Sequence, residues 1–195
     1  MESQIRTKDL ITIGIFSAIY LITYIVFSSV LFTPVLFMFM MPIGALLLGP
    51  VYMLYIARTQ KPGAITIMGL LIATIAGLLV YGNILVALVN FGFALVAELL
   101  AYLGKYKRFV WLTMSYAVMS LWVLGQQAPW WVAQDWIREL TIASGYSAEW
   151  TDETLAFATP LNLVLIIGGT IICAVVSSFI ANRMLKKHFV RAGIA

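Results

Sequence analysis

The stretch NILVALVNFGFALVAELLAYLGKYKR, from Asn83 to Arg108, decides how this chain folds. Between Ile84 and Leu103 it carries a single charge, Glu98. About 20 apolar residues are what an α-helix needs to cross the hydrocarbon of a bilayer. Inside that layer the backbone must satisfy its own hydrogen bonds, so a long continuous apolar run reads as helix rather than strand. The run is closed by a basic turn, Gly104 to Arg108, carrying Lys105, Lys107 and Arg108.

Runs of the same character lie on both sides of it. They extend from about Leu10 to Leu31, Val35 to Ala57, Ala64 to Tyr81, Phe109 to Ala128 and Leu155 to Leu185. Pro34, the polar turn Arg58 to Gly63 and the pair Gly82-Asn83 separate the early runs, and only Pro129 to Thr154 forms a long connection. The last run exceeds what a span requires, so it is expected to tilt or to project past the membrane. The expected fold class is an all-α integral membrane protein, one domain with six transmembrane helices. Composition agrees: of 195 residues 63% are hydrophobic and 10% charged, with a mean hydropathy of +1.00. A soluble domain is about half apolar and a quarter charged. Six spans use nearly all of the chain and leave no separate catalytic or nucleic-acid-binding domain.

The charges orient the bundle. With six spans, Arg6, Lys8, Arg58, Lys61, Lys105, Lys107, Arg108, Arg183, Lys186, Lys187 and Arg191 all fall on one side, and only Arg138 on the other. The positive-inside rule then places both termini in the cytoplasm. The connection 129–154, with Asp135, Glu139, Glu149, Asp152 and Glu153, is outside. The net charge of +4 is thereby accounted for without a nucleic-acid partner. The first apolar run is too long for a cleavable signal peptide and has no small-residue cleavage site. Cys173 is alone, so no intramolecular disulfide forms. No two-fold internal repeat stands out, which argues against an inverted-repeat transporter.

Catalytic chemistry is hard to place. His188 is the only histidine and sits in the basic tail. No metalloprotease, serine-hydrolase or phosphate-binding-loop motif occurs. No metal, no cofactor and no enzymatic activity are expected. Glu98 lacks a partner for acid–base work and is expected to reach the cytoplasmic surface or to meet Lys105. The outer end is richer. Asn83, Ala87, Asn90 and Ala94 share one helical stripe, and amides are costly against lipid, so the stripe faces inward. Trp122, Gln126 and Gln127 end the fifth span, Trp130 and Trp131 follow Pro129, and Asn162 opens the sixth. Aromatic walls with a few amides suit a pocket for a flat, partly polar molecule. The candidate substrate-binding residues are therefore Asn83, Asn90, Trp122, Gln126, Gln127, Trp130, Trp131 and Asn162. Helix packing is an equal alternative for Trp122, Gln126 and Gln127, and Trp136 and Trp150 read as an interfacial aromatic belt. From Trp131 to Ala143 the pattern is that of an amphipathic helix, lying on the outer surface or folding over the pocket as a lid. On the first span, Gly14 and Ala18, with Ser17 beside them, leave room for another helix to approach.

Several short motifs resemble a known family. The opening RTKDLITIGIFSAIY, Arg6 to Tyr20, is similar to the start of the substrate-binding S components of energy-coupling factor (ECF) transporters. More narrowly, ITIMG (Ile65 to Gly69), GKYK (Gly104 to Lys107) and LKKHFVRAGI (Leu185 to Ile194) resemble the Trep_Strep group, also called the MptD family. The resemblance implies a six-helix protein of the bacterial cell membrane without enzymatic activity. It would capture a micronutrient from outside and associate with a transmembrane coupling subunit and two cytoplasmic ATPases. It implies toppling in the membrane to deliver the substrate, and a docking motif Ala-x-x-x-Ala that maps onto Gly14 and Ala18. The glycine departs from that motif but keeps its small size. Substrate sites in the family lie at the outer end, between helices four to six and their loops. The ligand stays open: a vitamin, a flavin-like compound or a porphyrin all suit the tryptophan content. The alternatives are a membrane-embedded enzyme acting on lipid or isoprenoid substrates and an assembly subunit without a small-molecule ligand.

Overall fold

The computed structural model describes residues 5–30, 33–185 and 187; Lys186, His188, Arg191 and most of the LKKHFVRAGI motif lie outside them. Among the described residues eleven α-helices follow in order: α1 (Thr7–Ser28), α2 (Pro34–Met38), α3 (Met40–Thr59), α4 (Ala64–Ile72), α5 (Ile84–Leu103), α6 (Phe109–Met119), α7 (Leu124–Gln127), α8 (Pro129–Val132), α9 (Gln134–Ala143), α10 (Ala148–Phe157) and α11 (Pro160–Met184). A π-helical stretch, Ala73–Val80, continues α4, and a 3-10 turn, Ser120–Val123, joins α6 to α7. No strand occurs among the described residues. Among the described residues five helical runs are long and apolar enough to cross a membrane: α1, α3, α5, Phe109–Gln127 and α11. The run Ala64–Val80 is apolar but shorter, nine residues of α-helix followed by eight of π-helix.

The last expected run is divided. Helix α10 ends at Phe157 and α11 begins at Pro160. Pro160 lacks an N–H and pushes the residue before it out of the helical region. Thr159 is accordingly extended (ψ 155°), and its hydroxyl accepts the Asn162 backbone N–H at 3.2 Å. Part of the excess length of that run thus belongs to a separate helix, while α11 itself keeps 25 residues. The connection 129–154 is likewise helical for most of its length, as α8, α9 and the start of α10.

Helix α3 is the centre of the bundle, with its closest packing against α11 and further contacts to α1 and α6. Pro50 lies inside it and cannot donate to the carbonyl of Leu46. That carbonyl is taken up by Ser177 Oγ of α11 at 2.6 Å, and the neighbouring Ala45 carbonyl accepts from the Tyr116 hydroxyl of α6 at 2.5 Å. A proline in a buried apolar helix is tolerated on such terms, with side chains from adjacent helices satisfying the freed group. The outer faces are apolar throughout: Ile11, Ile15, Ile22 and Val26 of α1 and Leu161, Val164 and Ile172 of α11 are exposed. An apolar surface of that extent is what lipid covers.

The basic turns converge at one end. Asp9 of α1 pairs with Lys61 at 2.5 Å. Glu98 reaches neither Lys105 nor the surface alone. Its carboxylate accepts the backbone N–H of Gly63 (3.1 Å) and Thr66 (3.0 Å), the Thr66 hydroxyl (3.4 Å) and the Tyr106 hydroxyl. It caps the N-terminus of α4 from a different helix, where orphan N–H groups and the helix dipole favour a negative charge. Glu98→Ala is expected to destabilise the fold by about 2–4 kcal/mol, because several partners lose their acceptor together. Reversible unfolding in mixed detergent checks this. Glu98→Gln recovers part of the loss, since only one of its terminal groups can accept.

Candidate functional site

At the end opposite those turns the helices leave a cavity of ≈ 360 Å³. Leu21, Tyr24 and Ile25 of α1 form one wall, and Phe37 and Met40 another. Ile75, Ala76 and Val80 of the π-helical stretch form a third, continued by Tyr81. Trp122 and Gln126 face it from the far side, and Tyr146 and Trp150 come from the long connection. A second hollow of ≈ 260 Å³ adjoins it across Phe37, Tyr81, Tyr146 and Trp150 and is closed by Trp130, Ile137 and Leu140.

Irregular backbone builds these walls. π-Helical turns gather at functional sites because they re-aim side chains that a regular helix would send elsewhere. Here one such stretch turns Ile75, Ala76 and Val80 into the cavity. The 3-10 turn Ser120–Val123 does the same for Trp122. Its bend is braced by Asn90 of α5, which is 1% exposed. In the orientation that satisfies its amide, Asn90 donates to the carbonyls of Val86 (3.1 Å) and Trp122 (2.6 Å). The aromatic rings pack mostly edge to face: Tyr24 on Trp122 at 4.9 Å, and Phe37 on Trp130 at 5.5 Å and on Trp150 at 5.3 Å. Tyr146 lies more nearly parallel to Trp150, 4.7 Å away at 36°.

Helices α9 and α10 fold back on one another through a turn at Gly145 (φ 95°). Arg138 of α9 grips Asp152 of α10 with both arms, Nε–Oδ1 at 2.6 Å and Nη2–Oδ2 at 3.0 Å. The guanidinium holds the Asp152 carboxyl below its ordinary value of 3.8. A carboxylate whose pKa is lowered in the folded state favours that state above its unfolded pKa, and the contribution fades as pH falls through the folded one. The clasp is therefore expected to hold unchanged at neutral and mildly acidic pH and to open only in strong acid. Hydrogen exchange of α9 against pH measures this; protection lost on mild acidification would show that another group governs the segment.

The candidate residues separate into two groups. Trp122 and Gln126 line the main cavity, and Trp130 the second. The others act around it. Gln127 donates to the Phe37 carbonyl at 3.0 Å and so holds α2, while Trp131 Nε1 donates to the Thr159 carbonyl at 2.9 Å. Asn162 Nδ2 donates to the Phe157 carbonyl at 2.8 Å, stapling the joint between α10 and α11. Asn83 is partly exposed and caps α5, accepting from Leu85 N at 2.9 Å; it does not face inward with Asn90. Trp136 is 40% exposed, as a belt residue would be, but Trp150 is a cavity wall. Tyr24, Phe37, Tyr81 and Tyr146 were not among the candidates. Tyr146 and Trp150, aromatic residues four positions apart just after the amphipathic segment, carried a signal; Phe37 in its apolar run carried none.

On α1, Gly14 and Ala18 face outward, and a Cβ at Gly14 would meet nothing within 4 Å. Ser17 does not share that face: it is 2% exposed and points into the bundle. Ser17 belongs to the buried stripe of Ile13, Tyr20, Leu21 and Tyr24, spaced three and four residues apart along α1.

Fold and cavity together define a multi-helix membrane protein with an aromatic hollow at one end. Among the described residues no group of His, Cys, Asp and Glu is arranged to hold a metal ion. The chain belongs to the Trep_Strep family, described as a hypothetical bacterial integral membrane protein, which matches residues 7–191. No curated protein and no solved structure matches it.

Proposed function

We propose that this protein is the substrate-capture subunit of an ATP-driven importer, an S component of the ECF type. The observation that carries the reading is the aromatic cavity at the end away from the basic turns, with the buried amide of Gln126 on its wall. Under this reading Ala64–Val80 is the sixth span, the basic turns are cytoplasmic and the cavity opens outward. The short α9–α10 hairpin beside it acts as a cover. The outward face around Gly14 and Ala18 receives the coupling subunit. Energy comes from ATPases in the complex, since the chain carries no phosphate-binding loop.

An enzyme would need reactive groups at the cavity, and the one intramembrane carboxylate, Glu98, is engaged at the opposite end. The test is mild solubilisation from native membranes followed by mass spectrometry of everything that co-purifies. A small organic molecule and an ATPase pair with a coupling subunit are the expected companions. Recovery of the chain with no small molecule and no ATPase, or chemical turnover of a substrate by the chain alone, defeats the proposal.

A further inference from the structure

We infer that the cavity takes an uncharged, flat heteroaromatic molecule that presents a hydrogen-bond donor beside an acceptor, as a lactam or imide edge does, and that the Gln126 amide reads that edge. The inference rests on the reading of the cavity as a ligand site and names what it selects.

Charge is the first constraint. Every described residue lining either hollow is uncharged. Asp152, on the helix that supplies Trp150, is held by Arg138. A charged group carried into such a site loses its hydration and meets no counter-charge, which is costly. Shape is the second. Tyr24 and Trp122 stand on one side and Phe37, Tyr146 and Trp150 on another, a lining that suits rings rather than chains. At ≈ 360 Å³ the space is at the small end of ligand sites and suits two or three fused rings.

Gln126 supplies the third. It is 4% exposed, lines the cavity, and its side-chain amide has no hydrogen-bond partner among the described residues. The nearby Asn90 uses its amide within the fold, and the adjacent Gln127 donates to the Phe37 carbonyl and lines neither hollow, although its Oε1 is buried without a partner. A buried amide without partners is unfavourable unless something in the cavity satisfies it. A carboxamide offers an N–H and a C=O side by side, so its complement is an acceptor beside a donor. The same logic pairs glutamine with an adenine edge in nucleic-acid recognition.

The probes are lumichrome, a neutral tricyclic with an imide edge; its N3-methyl derivative, in which that edge has lost its donor; phenyltrimethylammonium; and pyrenesulfonate. Binding is measured by equilibrium dialysis on the full chain in nanodiscs, with empty nanodiscs as the blank. Lumichrome is expected to bind, and the N3-methyl derivative to bind on the order of tenfold more weakly or worse, the scale of one lost pairing in a dry site. Gln126→Leu should reduce lumichrome at least to the level of the methylated compound and affect the methylated compound, which keeps only its acceptors, less. The two charged probes should not exceed the blank. Should Gln126→Leu fail to fold, the two lumichromes on the unaltered protein still decide. Equal affinity for both, no binding of lumichrome, or preference for either ion overturns the inference. A charged molecule co-purifying from native membranes overturns it too, while leaving the capture role intact.

Discussion

Placing tryptophan at both Gly14 and Ala18 is expected to abolish uptake while leaving ligand binding by the isolated chain unchanged. The two positions share the outward face of α1, flanked by the exposed Ile11, Ile15 and Ile22. Nothing in the fold touches the space above Gly14. A bulky residue there disturbs no internal packing, so the folded chain and its cavity should survive. A helix docking on that face is a different matter. Close approach between membrane helices depends on small residues at the crossing point. Overpacking a contact costs about 1–3 kcal/mol per site, or roughly tenfold to a hundredfold in affinity. Two such sites should leave no measurable uptake. Gly14→Ala is the control, since a methyl group meets open space and restores the small pair of the docking motif this face resembles. It should transport normally and be slightly more stable, an exposed helical glycine being less favourable than alanine by about 1 kcal/mol. Uptake that survives both tryptophans would remove this face from the interface. Loss of binding along with uptake would show damage within the chain instead. The readouts are radiolabelled uptake in cells carrying the proposed coupling subunit and ATPases, and binding to the solitary protein.

Much of this geometry is legible in the sequence, for reasons that differ by element. The spans are written in continuous apolar runs, and the turns at Arg58 to Gly63 and Gly104 to Arg108 fall where charge and glycine interrupt them. The break at Pro160 was equally visible, but apolar residues on both sides of it, Leu155 and Phe157 before and Leu161 after, hid two helices as one run. Gln126 could be singled out because an amide among apolar residues stands out wherever it falls. What such an amide is for cannot be read the same way. Asn90 and Gln127 look alike in the sequence, yet they brace Trp122 and α2 while Gln126 faces the cavity. Gln126 and Gln127 are consecutive on α7 and so point about 100° apart; which of them meets the cavity depends on how the preceding 3-10 turn sets the phase of that helix, which side-chain periodicity does not record. Phe37, Tyr24 and Tyr81 become walls only because distant elements meet, and pattern reading along the chain has no access to that.

The second large effect is expected where α4 and its π-helical continuation pack on α5, and where two glycines look equivalent and are not. A Cβ built on Gly69 would sit 2.0 Å from the Ala94 Cβ and 3.5 Å from its Cα. One built on Gly77 would meet Ala87 at its Cα (2.5 Å), Cβ (2.6 Å) and backbone N (2.6 Å). Both substitutions to alanine force the helices apart, at about 1–3 kcal/mol or more. At Gly69 the obstacle is a methyl group, so Ala94→Gly should restore the stability lost in Gly69→Ala. At Gly77 the obstacle is backbone, so Ala87→Gly should rescue little of Gly77→Ala, and Gly77→Leu should not fold. The consequence for the cavity differs as well. Gly77 sits in the π-helical stretch between Ala76 and Val80, both of which line it. Pushing that stretch off α5 moves a wall, so Gly77→Ala should weaken ligand binding even where protein is recovered, whereas Gly69→Ala should lower the unfolding midpoint and spare affinity. Gly92→Ala, on α5 with nothing within 4 Å, should spare affinity and, as at Gly14, raise the unfolding midpoint slightly. If Ala87→Gly restores Gly77→Ala fully, the two backbones do not approach this closely, and the π-helical wall is not held in place by its contact with α5.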